Sequence, residues 1–284
     1  MPRLKLGESG LLVARWNAFL AANDLAHDSG DEFGPQTHTG TMAFQKAVNK
    51  KSGSTQLTVD GIAGNLTLGF AISSNLTDDL DAARVASLWG YNYPSRLDGL
   101  PQPPNQEQMH QQFGRIAFQH APEPGNDERI VITNGWAAQN LAKFEVPQLK
   151  QITGGNHSGS VWFHKAVGGQ LVALWRCWEA AGLLADVKTY EGSFNARLKR
   201  GSKTELSNHA WGTAFDINYS ANRLYAMPST PDEIGCVYRL IPLANALGFN
   251  WGGSYRGRLD GMHFEVTRIL SKDEIVAVLN RTAP

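Results

Sequence analysis

Ser207-Asn208-His209-Ala210-Trp211-Gly212-Thr213-Ala214-Phe215-Asp216-Ile217-Asn218 and Asp260-Gly261-Met262-His263-Phe264-Glu265-Val266 each contain a run in which apolar and polar residues alternate. In the first, Phe215 and Ile217 alternate with Asp216 and Asn218, so Thr213 to Asn218 reads as a strand with one apolar and one polar face. In the second, Met262, Phe264 and Val266 share a face and His263 and Glu265 share the other. If the two strands pair, Asp216 and His263 lie on one side of a sheet, and His209 enters from the turn before the first strand.

Outward from these strands, the surrounding chain reads as an α+β domain over about residues 113–284. Arg129 to Thr133 and Val187 to Tyr190 are strand candidates. Val167, Leu171, Leu174, Trp175 and Trp178 follow helical spacing, with Gly182 to stop the helix. Pro231 to Leu247 reads as a helix ending at Gly248, and Ser271 with Glu274 forms a capping box for a final helix. Strands interleaved with segregated helices, without repeated βαβ units, predict an antiparallel sheet.

The amino-terminal part, residues 4–75, reads as a small all-α three-helix bundle. Leu12, Trp16, Phe19 and Leu20 mark the first helix; Met42, Ala43, Ala47 and Val48 mark a short second one. Asp31 to Thr37 reads as a turn around Gly34-Pro35. Asp60-Gly61 is a tight turn, and Asn65 is the expected cap of a third helix carrying Leu66, Leu68 and Ile72. Residues 76–112, with Pro101, Pro103, Pro104 and a helical piece near Leu80 to Leu88, read as a linker.

Composition narrows the function. Lys and Arg number 26, as do Asp and Glu, so the formal net charge is zero. This excludes nucleic-acid binding through a bulk positive field, and anchoring on anionic lipid by charge alone. No apolar run reaches the roughly 18 residues of a membrane span; Leu171 to Ala185 is broken by Arg176 and Glu179. The opening Met1-Pro2-Arg3-Leu4-Lys5 lacks a signal-peptide pattern, so synthesis in the cytoplasm is expected, with release through a pore or a secretion apparatus. Cys177 and Cys236 read as free thiols.

Two imidazoles and a carboxylate, with a fourth position left for water, make an open catalytic zinc site; the same set also suits non-haem iron. Zinc lowers the pKa of a bound water to about 7. Such a site needs a base, and Asp260 is three residues before His263. It also needs a cation to balance an oxyanion, and Arg197 and Arg200 lie just upstream of His209. Glu265 reads either as an acceptor that orients a ligand or as a solvated strand residue. Asn218 reads as a substrate contact or a turn residue, and Trp251 as packing. His27, His38, His110 and His120 read as ordinary core or surface residues. His157 and His164 read first as packing and second as lining of a substrate cleft.

Ser207 to Asp216 resembles the S-x-H-x-x-G-x-A-x-D motif of the zinc peptidases that include bacterial D-alanyl-D-alanine carboxypeptidases and phage L-alanyl-D-glutamate endopeptidases. Asp260 to Glu265 resembles their second motif, D/E-x-x-H-F-E, and Gly248 to Gly253 and Gly192 to Gly201 also fit. The resemblance implies His209, Asp216 and His263 as zinc ligands, Asp260 as general base, and Arg197 before Arg200 as the oxyanion-stabilising arginine. Asp rather than Glu at 260 is closer to the endolysin branch. Leu6 to Gly10, Phe33-Gly34-Pro35-Gln36-Thr37, Ala43-Phe44-Gln45 and Val59 to Gly64 resemble the three-helix peptidoglycan-binding domain, with a longer spacing filled by Ala26 to Glu32. The combined expectation is a monomeric endolysin-like enzyme that binds bacterial peptidoglycan and cuts the L-alanyl-D-glutamate bond of its stem peptides. A D-alanyl-D-alanine carboxypeptidase and a non-catalytic zinc-containing wall-binding protein are the alternatives.

Overall fold

The computed structural model describes residues 3–74, 93–94, 99–152, 157–255 and 258–282; the helical piece expected near Leu80 to Leu88 lies outside them. The chain forms two compact units. The first comprises Met1–Ser95, Asn222–Glu233 and Gly253–Gly261; the second comprises Arg96–Ala221, Ile234–Gly252 and Met262–Pro284.

The first unit contains α1 (Leu11–Ala22), α2 (Pro35–Ser52) and α3 (Asn65–Ser74). Trp16, Phe19 and Phe44 form its aromatic centre, with ring centroids 5.2–5.7 Å apart. The indole Nε1 of Trp16 donates to Thr41 Oγ1 at 2.8 Å, so the buried ring keeps a polar partner. Helix α2 begins within the expected turn over Asp31 to Thr37, at Pro35, and so starts before the short helix expected around Met42. Pro35 occupies its first turn, where a missing N–H costs nothing and the ring presets φ. The residues of the longer spacing supply the cap: Asp28 Oδ2 accepts from Thr37 N at 3.1 Å and from Thr37 Oγ1 at 2.9 Å. Asn17 ties the same segment to α1 by donating to the carbonyls of Gly30 and Glu32.

Asn65 does not cap α3, contrary to the sequence expectation. Its buried Oδ1 makes no hydrogen bond, and the Gly64 carbonyl accepts the Leu68 amide to start the helix. The turn before it is organised by the buried side chain of Gln45, whose Oε1 accepts from the amides of Asp60 and Gly61. Helix α3 then carries both later segments of its unit. Asn65 O accepts from Met227 N, Phe70 stacks on Tyr225 at 4.5 Å, and Leu259 N donates to Ser73 Oγ at 3.3 Å. At Gly69 the approach is closest: a Cβ there would lie 1.9 Å from the Tyr225 carbonyl oxygen.

The second unit is mixed helix and antiparallel sheet. It holds α4 (Gln106–Phe113), α5 (Trp136–Asn140), α6 (Gly168–Ala180), α7 (Ile241–Ala246) and α8 (Lys272–Thr282). Strands β1 (Phe118–His120) and β2 (Ile130–Ile132) pair as one ribbon, and β3 (Leu141–Glu145) and β4 (Ser160–His164) as another. The main sheet contains β5 (Tyr190–Gly192), β6 (Ala214–Ile217), β7 (Phe249–Trp251) and β8 (His263–Val266), in the order β5-β6-β8-β7.

Register sets the two faces of that sheet. Phe215 pairs with Phe264 and Asp216 with His263. The phenylalanine rings stack at 5.4 Å under Trp175 and Trp178 of α6, so the neighbouring pair must face the other way. Gln170, also on α6, donates to the carbonyls of Leu247 and Arg268 and accepts from Leu270 N, which fixes the helix to both ends of the sheet's return path.

Two expected elements differ. Pro231 to Leu247 is not one helix: a turn, a 3-10 segment over Tyr238–Leu240 and the short α7 replace it. Gly235 has φ +86° and Pro242 suits only a first helical turn, so a helix cannot run through both. The strand expected at Val187 to Tyr190 begins only at Tyr190. Asn218 Oδ1 takes the amides of Lys188 and Thr189, which withdraws them from a ladder. The capping box at Ser271 and Glu274 is formed, with Ser271 N donating to Glu274 Oε2 and Glu274 N to Ser271 Oγ.

Candidate metal centre

The structure brings together His209, Asp216 and His263. His209 lies on a 3-10 turn over Asn208–Trp211 that ends at Gly212, φ +62°. That left-handed residue reverses the chain into β6, and a side chain there would meet Leu141 at 2.8 Å. His209 Nε2 lies 3.2 Å from Asp216 Oδ1 and 3.1 Å from His263 Nδ1; His263 Nδ1 lies 2.9 Å from Asp216 Oδ1.

A tetrahedral zinc with bonds of about 2.0–2.1 Å places its ligand atoms about 3.3 Å apart, close to this triangle. The proton inventory points the same way. His209 Nδ1 contacts the Ser193 carbonyl at 2.6 Å, and a carbonyl only accepts, so the proton sits on Nδ1 and Nε2 offers a lone pair. Asp216, as a carboxylate, is acceptor only. Three donor atoms with at most one proton among them converge on a point, and a divalent cation satisfies all three. The chemistry of the donor set therefore fits zinc.

Burial would raise the Asp216 carboxyl; where protons stand in for an ion, the charged imidazoles of His209 and His263 outweigh it and hold the group well below the ordinary carboxylate range. Burial pushes the Tyr190 hydroxyl up, and the negative charge of Asp216 adds to that. Burial likewise raises Glu191, with Asp216 contributing in the same direction.

Glu265 is 1% exposed, not a solvated strand residue. It lies 3.8 Å from His263 Nε2 and accepts from Asn208 Nδ2. It thus stands behind one ligand and beside the turn that carries another. Ser193 is not recognisable from the sequence, because a backbone carbonyl that fixes an imidazole carries no residue-type signal, and Asn208 is not, because its side-chain partner Glu265 is 57 residues away.

The other sequence candidates are placed as follows. Arg197 is half-buried; its Nη1 donates to the Leu198 carbonyl at 3.1 Å, and its own carbonyl accepts from Ser207 N, two residues before His209. Arg200 is exposed. Asp260 is buried, forms a backbone bridge with Leu224 and belongs to the first compact unit. Asn218 is a turn residue, φ +57°, and its side-chain amide also donates to the carbonyls of Asp186 and Gly235. His164 is buried packing against Phe113 and Trp136, and Trp251 packs against Tyr238. Cys177 and Cys236 are thiols not joined in a disulfide. Among the described residues, no helix is long and apolar enough to cross a membrane.

Residues 200–266, about a quarter of the chain, match a family described as D-alanyl-D-alanine carboxypeptidase, a zinc-peptidase family. The match spans His209, Asp216, Asp260 and His263 and leaves Arg197 just outside. No curated protein and no solved structure matches the chain.

Proposed function

We propose, taking the family match over residues 200–266 as the premise, that the protein is a zinc-dependent peptidoglycan peptidase that cuts the L-alanyl-D-glutamate bond of stem peptides. The observation that carries this reading is the convergence of His209 Nε2, Asp216 Oδ1 and His263 Nδ1 within that matched segment. When bound there, zinc supplies a water acidified to a pKa of about 7 and polarises the scissile carbonyl.

The rest falls to the chain's own groups. Asp260 takes the proton of the attacking water and delivers it to the leaving amine nitrogen as the C–N bond breaks. The Arg197 guanidinium balances the negative charge that develops on the carbonyl oxygen. The Glu265 carboxylate, 3.8 Å from His263 Nε2, favours by its charge a proton on that nitrogen and so leaves Nδ1 facing the centre. The aspartate at 260 supports the endopeptidase over the carboxypeptidase. The description of the matched family favours the terminal D-alanyl-D-alanine bond, so that is the second reading.

In the same reading, residues 4–75 form a peptidoglycan-binding module. Holding an enzyme on an insoluble polymer raises the local concentration of its substrate, to millimolar values for a short flexible connection.

The test is digestion of purified sacculi by the zinc-loaded protein, with new termini identified by mass spectrometry. New amino-terminal D-glutamate supports the endopeptidase; release of free D-alanine replaces it with the carboxypeptidase. Asp260→Ala is expected to keep its zinc and lose about 10²–10⁴-fold in rate. A variant that cleaves as fast as the parent removes Asp260 from the mechanism. A parent that holds zinc and cleaves neither bond leaves the non-catalytic wall-binding reading.

A further inference from the structure

Trp162 sits in the middle of β4 and is 53% exposed, the one tryptophan among the exposed large hydrophobic side chains of the described residues. Its neighbours Val161 and Phe163 are buried. The Phe163 ring reaches Phe249 at 6.5 Å, and Phe249 packs on Phe215 at 5.7 Å, so Phe163 belongs to the core face of the main sheet. Strand alternation turns Trp162 the other way, off that core face.

The backbone ties it to the His209 turn. The Trp162 carbonyl accepts from Ser193 Oγ at 2.7 Å, and the Ser193 carbonyl holds His209 Nδ1 at 2.6 Å. Two residues on, His164 N donates to the carbonyl of Gly212, which closes the His209 turn. Strand β4 is therefore stitched to both segments that flank His209. Lys143 lies opposite Trp162 in the ladder and is also exposed. A flat, exposed apolar ring beside Lys143, on a strand tied to the loop that orients His209, is used by neither the fold nor the mechanism above.

We propose that Trp162 is a substrate-binding residue that stacks on a pyranose ring of the glycan strand bearing the stem peptide. One face of such a sugar presents C–H groups to an indole, while its hydroxyl and acetamido groups point to the rim, where Lys143 waits. This rests on the peptidase reading and deepens it. The first stem residue hangs directly from the sugar, so a cut after it leaves the ring about one residue, roughly 3.5 Å of chain plus the linking group, from the scissile bond. A cut at the far end of the peptide would put the ring about four residues, roughly 14 Å, away. An aromatic platform two hydrogen bonds from His209 suits the nearer bond.

The experiment compares wild type, Trp162→Ala and Trp162→Phe on two substrates, sugar-bearing muropeptide and the same stem peptide without sugar. Trp162→Ala is expected to lose about tenfold or more in kcat/KM on the sugar-bearing substrate, mostly through KM, and to stay within about twofold on the free peptide. Trp162→Phe should recover most of the loss, with zinc content equal in all three. Equal losses on both substrates, or none on the sugar-bearing one, overturn the proposal. If the wild type cleaves neither, the peptidase reading fails, and calorimetric titration with an N-acetylglucosamine oligosaccharide decides alone. Weaker binding by Trp162→Ala upholds the sugar platform; equal binding, or none by the wild type, ends it.

Discussion

At the scale of single residues, the centre is built from the outside in. His209 is oriented by one carbonyl, that of Ser193, and the Glu265 carboxylate stands 3.8 Å from His263 Nε2. Such supporting groups tune metal affinity by 10–100-fold in known sites. Glu265→Ala is therefore expected to weaken zinc binding by about that factor, read by competition with a chromophoric chelator, while leaving the circular dichroism spectrum unchanged. An unchanged affinity would reduce Glu265 to packing. The grouping of His209, Asp216 and His263 was legible in the sequence because strand alternation is a strict rule: once Phe215 and Phe264 face the core, Asp216 and His263 cannot. The support was less legible. Ser193 acts through its backbone, and Glu265 alternates onto a face that the sequence pattern alone could not distinguish from solvent.

At the scale of elements, the residues that misled are those whose effect depends on a distant partner. Pro231 to Leu247 has apolar spacing for a helix, yet Gly235 takes a positive φ that Asn218 Nδ2 stabilises from 17 residues away. The cap of α2 likewise comes from Asp28, nine residues before Thr37. Helix α6 was readable because Leu171, Leu174, Trp175 and Trp178, its flanking Val167 and its terminating Gly182 are all local. A sharp test exists in α3. Intrinsic propensity says that Gly69→Ala should stabilise a helix by about 0.8–1 kcal/mol. The close approach of the Tyr225 carbonyl says the reverse, because the added methyl must displace backbone, at about 1–3 kcal/mol. The expected result is a lowered midpoint in thermal denaturation. A raised one would show that α3 and the 222–233 segment do not pack this tightly.

At the scale of the whole molecule, buried titratable groups couple stability to pH. Burial lowers His164 from its ordinary value near 6.5, and its neutral ring accepts from Ala166 N while facing the Phe113 carbonyl. A base with a depressed folded pKa binds fewer protons folded than unfolded just below its ordinary value, so its contribution is intact above about pH 6.5 and is lost as pH falls. The urea midpoint is expected to drop between about pH 7 and pH 5.5, and to drop less in His164→Gln. Equal slopes in the two proteins would assign the acid sensitivity elsewhere. Raised carboxyls such as Glu191 act with the opposite sign, which is why the difference between variants is the readout.

The path of the chain has a consequence for how such a protein is inherited. It passes from one compact unit to the other after residues 95, 221, 233, 252 and 261. Recombination that trades whole modules works with single junctions, and no single junction separates these units. The amino-terminal helices would carry away the surface on which Tyr225 and Leu259 rest, so exchanging residues 1–95 by a single crossover would strip both segments of their support.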